Sequence, residues 1–259
     1  MSIVLQIIAA ILPAILLFVY VWKQDAKPEP TRLLLKAVLL GALICIPCSI
    51  IEFCVSEILP VGNVSSGAPP PSFWAAIIVA FFVAALPEEL CKLFVLDKTL
   101  RNNPYYDEHY DSIVYAVCVG LGFAAFENVF YVIGSGEMWV QAALSRALLA
   151  IPGHYAFAVM MGYFYSVYHF TDSSKKAKYR ILWVPVVAHG IYDTIALSSS
   201  LSETTSAFCM LILVVFCIYM HKYAKKKLVA LVEKDKNENA IMVASNDNDV
   251  PDVNFGDRM

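Results

Sequence analysis

Residues 73–96 read FWAAIIVAFFVAALPEELCKLFVL. The run is long and apolar enough to cross a hydrocarbon layer of about 30 Å. Yet Glu88, Glu89 and Lys92 lie inside it. On insertion scales a charge near the bilayer centre costs on the order of 2.5–3.5 kcal/mol. The stretch therefore reads as a membrane helix that carries polar chemistry, and the rest of the chain must supply partners for it.

Similar runs lie on both sides. Spans are expected at about Ile3 to Trp22, Leu33 to Cys54, Phe73 to Leu96, Asp111 to Ile133, His154 to Phe170, Ile181 to Leu197 and Ser206 to Tyr223. With 59% hydrophobic and 16% charged residues, the chain is too apolar for a soluble domain of 259 residues. The expectation is an all-α, polytopic transmembrane helical bundle. A segment from Trp139 to Ala150 is too short to span at about 1.5 Å per residue. Ile151-Pro152-Gly153 is expected to break it from the span that begins at His154, leaving a short interfacial or re-entrant helix beside seven crossings. Arg146, on that segment, is placed near the outer surface.

Charge placement orients the bundle. Lys23, Lys27, Arg32 and Lys36 fall in the first loop, Lys98 and Arg101 in the third, and Lys175, Lys176, Lys178 and Arg180 in the fifth. Lys222 and Lys225 to Lys227 come after the last span, whereas the loops around Asn63, Ser135 and Ser202 hold no Lys or Arg. Cytoplasmic loops are enriched in these residues. The reading is an integral, multi-pass protein of the cell membrane with its N-terminus outside and its C-terminus in the cytosol. The apolar N-terminus lacks a basic lead and a cleavage site and reads as a retained helix. One membrane domain is expected over 1–227, then a polar, disordered cytosolic tail over 228–259. The Gly/Ser/Pro-rich stretch from Gly62 to Pro71 reads as a loop.

The net charge of −3 is spread over segregated loops, and no patch suggests nucleic-acid binding. Seven cysteines, an odd number set mostly in apolar runs, give no disulfide framework. Cys45-Ile-Pro-Cys48 lies inside a span without the βαβ context of a redox motif, so packing explains it.

The spans hold further polar residues: Glu127 with Asn128 in the fourth, His154 at the start of the fifth, and His189 with Asp193 in the sixth. Ionised separately, the carboxylates alone would cost about 10 kcal/mol, comparable with a domain's net stability. They must be protonated, paired, metal-bound or in contact with water, which points to one shared site. Glu88 and Lys92 are four residues apart and share a helix face, as do His189 and Asp193. Gly120, Gly122, Ala124 and Ala125 allow another helix to come close. Such a set also suits an ion- or proton-coupled transporter, or a non-catalytic membrane scaffold that recognises a partner's helix. No internal repeat of the transporter kind is visible.

Four motifs carry a resemblance: Pro87-Glu88-Glu89-Leu90-Cys91-Lys92, Gly122 to Asn128, Pro152-Gly153-His154, and His189-Gly190-Ile191-Tyr192-Asp193. In this order they resemble the PrsW family of intramembrane proteases over about Phe73 to Leu197. More distantly the chain is similar to the CAAX-protease and bacteriocin-processing superfamily, from whose EExxxR, FxxxH and HxxxN patterns it departs at Lys92, Glu127 and Asp193. The resemblance implies an intramembrane endopeptidase, metal-dependent, that cleaves a membrane-anchored protein substrate. In that scheme Glu88 is the general base on water, with Glu89 beside it and Lys92 restraining the pair. Glu127, His154 and His189 bind a divalent metal, zinc by ligand type, or the water. Asp193 orients His189 or holds the water. Metal-free catalysis by Glu and His remains the alternative.

Overall fold

The structure is a computed structural model. It describes residues 2–59, 61–62 and 68–248, with side chains through Met242. Residues 63–67 of the expected loop and 249–259 of the expected tail lie outside the described residues.

Among the described residues, seven helices are long and apolar enough to cross a membrane. They are α1 (Ile3–Trp22), α2 (Thr31–Ile58), α3 (Phe73–Leu100), α4 (Asp111–Gly134), α5 (Gly136–Thr171), α6 (Lys175–Ser198) and α7 (Glu203–Asn248). Among the described residues there is no strand.

Periodicity explains which faces turn inward. On α2, Leu34, Ala37, Gly41, Cys45 and Cys48 are buried at steps of three and four. Leu35, Leu39, Leu43, Ile46 and Ile50 are exposed at the same steps, forming an outer face suited to lipid. α4 is the innermost helix, with 72% of its apolar window buried, and packs against α1, α2 and α5. Small residues permit this. The position of a Cβ on Gly41 would lie 2.2 Å from the Val119 carbonyl oxygen, and one on Gly122 would lie 2.2 Å from that of Val38. These reciprocal glycines seat α2 directly on α4. All seven cysteines are free.

Two wide turns interrupt the long helices. Residues Val79–Ala85 of α3 and Arg146–Ala150 of α5 are π-helical. In each case the last π bond, Leu86 N–H to Phe81 O and Ile151 N–H to Arg146 O, immediately precedes a proline, Pro87 or Pro152. A proline inside an α-helix removes one hydrogen bond and clashes with a carbonyl one turn back. A π-turn widens the helix at that point and lets it continue. The expected break at Ile151-Pro152-Gly153 is thus absent: residues 139–150 run straight into the helix that carries His154.

The tail also differs from expectation. α7 continues as helix to Asn248 instead of turning disordered at 228. Met220, Ala224, Leu228, Leu231 and Asp235 form a buried stripe at helical spacing. Asp235 accepts hydrogen bonds from the backbone N–H groups of His109 (2.9 Å) and Tyr110 (2.7 Å), so the end of α7 docks on the start of α4.

Candidate active site

The π-turns deliver two of the motifs. The turn before Pro87 leads into Glu88 and Glu89, and the turn before Pro152 leads into His154. The first turn also sets the neighbouring helix. A Cβ on Gly190 would lie 2.5 Å from the Phe81 ring, so only glycine lets α6 approach here. His189, the residue before it, then faces α3.

The side chains meet in a chain of contacts. Lys92 Nζ donates to Glu88 Oε2 and to Glu89 Oε1, each at 2.8 Å, and lies 3.2 Å from His154 Nδ1. Glu88 Oε2 is 3.9 Å from the same imidazole nitrogen. His154 Nε2 lies 3.0 Å from Glu127 Oε2. His189 Nδ1 lies 3.0 Å from Glu89 Oε1, and its Nε2 lies 3.2 Å from Asp193 Oδ2. The His189 ring stacks on Phe157 at 4.6 Å, which fixes its plane. Lys92 sits 4.4 Å above the Phe123 ring. All seven residues singled out by sequence therefore join one network, spread over α3, α4, α5 and α6.

The network borders a cavity of about 680 Å³ lined by Glu88, Glu127, His154, His189 and Asp193. Glu89 and Lys92 stand behind this wall. Glu89 is fully buried, and its Oε2 has no hydrogen-bond partner. Donor atoms of Glu88, Glu89 and His154 all lie within 4.8 Å of one another, close enough to share a metal ion. Glu127 joins this trio through His154, and His189 joins through Glu89.

Two residues that sequence reasoning did not assign to the site belong here. Arg146, expected near the outer surface, turns inward: its guanidinium lies 3.1 Å from Glu127 Oε2, bonds Asn128 Oδ1 through Nε, and stacks over Tyr131 at 3.9 Å. The π-turn that begins at Arg146 keeps its segment continuous with the core, which a broken interfacial helix would not do. Glu52 of α2 also lines the cavity and accepts from the Cys48 thiol at 3.3 Å. Its signal was a carboxylate within an apolar run, near the end assigned to the second span. Asn128, buried behind the cavity, donates to the Ala10 carbonyl of α1 at 2.7 Å.

The donor chemistry suits a divalent cation. Glu88 and Glu89 face Lys92, Glu127 faces Arg146 and Asp193 faces His189, so these four carboxylates outnumber the two fixed positive charges by two. A neutral imidazole donates from one nitrogen only. With His189 Nδ1 donating to Glu89, Nε2 carries the lone pair that faces Asp193 Oδ2 at 3.2 Å, and a cation bound by both atoms would relieve their repulsion. A carboxylate behind a ligating histidine is the usual support for a metal.

A family model described as PrsW family intramembrane metalloprotease matches residues 29–220. Protease PrsW of Oceanobacillus iheyensis is 30% identical over 222 residues, covering 85% of this chain and 96% of the relative. Protease PrsW of Clostridioides difficile is 29% identical over 88% of this chain and 91% of the relative, and Protease PrsW of Bacillus subtilis 34% identical over 72% and 80%. No solved structure matches the chain. The match covers all four motifs and the helices that carry them, and by it the chain belongs to the PrsW family of intramembrane proteases, a family of peptidases.

Proposed function

We propose that the chain hydrolyses a peptide bond of a membrane-anchored protein at the cavity bordered by Glu88, Glu127, His154, His189 and Asp193, and that it does so with a divalent metal, zinc by ligand type. The observation that carries this reading is convergence: motif residues from four helices, far apart in sequence, meet on one cavity wall.

Glu88 is the general base. It lines the cavity, and its Oε2 is held by Lys92, so Oε1 is left to accept a proton from water. The same carboxyl group then returns that proton to the leaving amine. Glu89 is a positioning residue, because it touches Lys92 and His189 but not the cavity. Glu127, His154 and His189 would hold the metal, with Glu89 at His189 Nδ1 orienting the ring and Asp193, beside Nε2, holding the water. When bound, zinc would supply Lewis-acid polarisation of the scissile carbonyl. Arg146 restrains Glu127 and adds positive charge where an oxyanion would develop.

The loops set the orientation. Lys27 pairs with Asp107, Asn239 bonds Glu108, and Lys234 bonds Thr171, so the basic loops and the end of α7 gather at one end of the bundle. That end is the cytosolic one by the positive-inside rule, in the cell membrane, with the N-terminus outside.

The test is purified protein with a single-span substrate. Glu88→Ala and His189→Ala should abolish the product band. Cleavage at the wild-type rate by both variants would overturn the assignment.

A further inference from the structure

A second acidic cluster lies at the basic-loop end, away from the cavity. Asp25 comes from the loop between α1 and α2, Glu108 from the loop between α3 and α4, and Asp111 from the first turn of α4. All three are buried, with 8%, 8% and 1% of their surface exposed. One ligand oxygen from each lies within 4.8 Å of the others.

The hydrogen bonds of these carboxylates leave specific atoms over. Asp25 Oδ1 accepts from the Lys27 N–H at 3.0 Å. Asp111 Oδ2 accepts from the N–H groups of Asp107 and Glu108, at 3.1 and 2.8 Å. Glu108 Oε1 accepts from Asn239 Nδ2 at 2.9 Å. Each residue is thus anchored by one oxygen. The second oxygens of Asp25 and Asp111 are buried and have no partner at all. A buried acceptor without a partner costs about 1–3 kcal/mol, and more if it is charged. A cation shared by the three residues would satisfy both. Lys27 does not provide one: its ammonium is on the surface, paired with the exposed Asp107.

We propose that Asp25, Glu108 and Asp111 bind a hard divalent cation of the Mg²⁺ or Ca²⁺ class. The donors are carboxylate oxygens, with no thiolate or imidazole among the three, and this is the ligand chemistry of those ions. The neighbouring imidazole, His109, turns its nitrogens to Ser166 and Glu238 instead. A cation here ties the α1–α2 loop to the start of α4, and through Glu108 and Asn239 to the end of α7. It would clamp the loops beneath the bundle without touching the intramembrane cavity.

The test uses the full chain in detergent, stripped with EDTA and returned to chelator-free buffer. Thermal unfolding is monitored as CaCl₂ or MgCl₂ is added. Binding to the folded state alone predicts a saturable rise in Tm of about 5 °C for at least one of the two ions. The rise should vanish in Asp25→Asn and in Asp111→Asn, and should persist in His189→Ala, which alters only the intramembrane site. The asparagines keep an oxygen for the anchoring N–H groups. The Asp25 variant, in a loop, keeps the test alive if the Asp111 variant does not fold. A Tm that does not move with either ion overturns the proposal, as does a rise that survives in both asparagine variants. So does a rise lost in His189→Ala and kept in Asp25→Asn, which would put the ion in the membrane.

Discussion

The intramembrane cluster and the acidic cluster at the basic-loop end, both buried, meet one problem in different ways. Inside the membrane, Glu88, Glu89 and Glu127 are met by cations built into the same fold, Lys92 and Arg146, and the site opens on a cavity. At the basic-loop end, Asp25, Glu108 and Asp111 face one another with backbone N–H groups and an amide for partners, while Lys27 stays outside with Asp107. In the inner cluster the sequence encodes two of the counter-ions, Lys92 and Arg146. The outer cluster lies where soluble cations are available, and it has left two oxygens free for them. The fold thus supplies part of the balancing charge itself in the inner cluster and leaves the outer one to exchangeable cations.

This contrast can be broken by substitution. The largest effect should fall on chemistry: Glu88→Gln should lower the cleavage rate about 10³-fold, measured on a single-span substrate, with little change in Tm. Next comes the built-in cation. Lys92→Met should destabilise the fold by about 3–5 kcal/mol, because it strands two carboxylates that are nearly or wholly buried. Denaturation in mixed micelles would show this, and an unchanged midpoint would mean that those carboxylates are protonated. The outer cluster should answer with the opposite sign. In chelator, Asp111→Asn should raise stability by about 1 kcal/mol, since it removes a charge that has no counter-ion. A loss of stability there would erase the distinction between the two clusters.

The smallest effect concerns pH. Burial pushes the Glu29 carboxyl above the usual range, against a lowering by the Tyr115 hydroxyl that donates to it, with Asp25 and Asp107 raising it and Lys27 lowering it. The folded state therefore holds this proton at pH values where the unfolded chain has released it. Its contribution is full below the unfolded carboxylate range and is lost as pH rises through the raised folded value. In chelator, stability should fall by under about 1 kcal/mol across that window. Glu29→Gln should flatten the slope.

The bundle was readable because two independent signals agreed. Apolar length marked the crossings, and lysine and arginine marked alternate loops, so the crossing number was constrained twice. The site residues were readable because a charge inside an apolar run is costly enough to demand a reason. Arg146 and Glu52 escaped for the same cause. Each sits near a boundary, where a charge is cheap, and only tertiary packing turns it toward the cavity. The end of α7 escaped because its composition is polar while its pattern is not: Leu228, Leu231 and Asp235 continue a stripe begun at Met220. The partner that makes Asp235 useful, the N–H groups of His109 and Tyr110, lies more than a hundred residues away in sequence.

The wide turns before Pro87 and Pro152 amount to a phase setting for their helices. An α-helix advances about 100° and 1.5 Å per residue. A π-turn accommodates one additional residue without changing how the chain enters or leaves. Removing any one residue from Val79–Ala85 would leave α3 apolar and long enough to span, with every motif residue still present. The turn would absorb that deletion by closing to α-helix: Glu88, Glu89 and Lys92 would keep their side of the axis, and the cost would fall on Pro87, which then meets a carbonyl one turn back. A second deletion would have no slack left to take it up and would rotate the motif by about 100°, away from the histidines of α5 and α6, although an inventory of the polar residues would register no change.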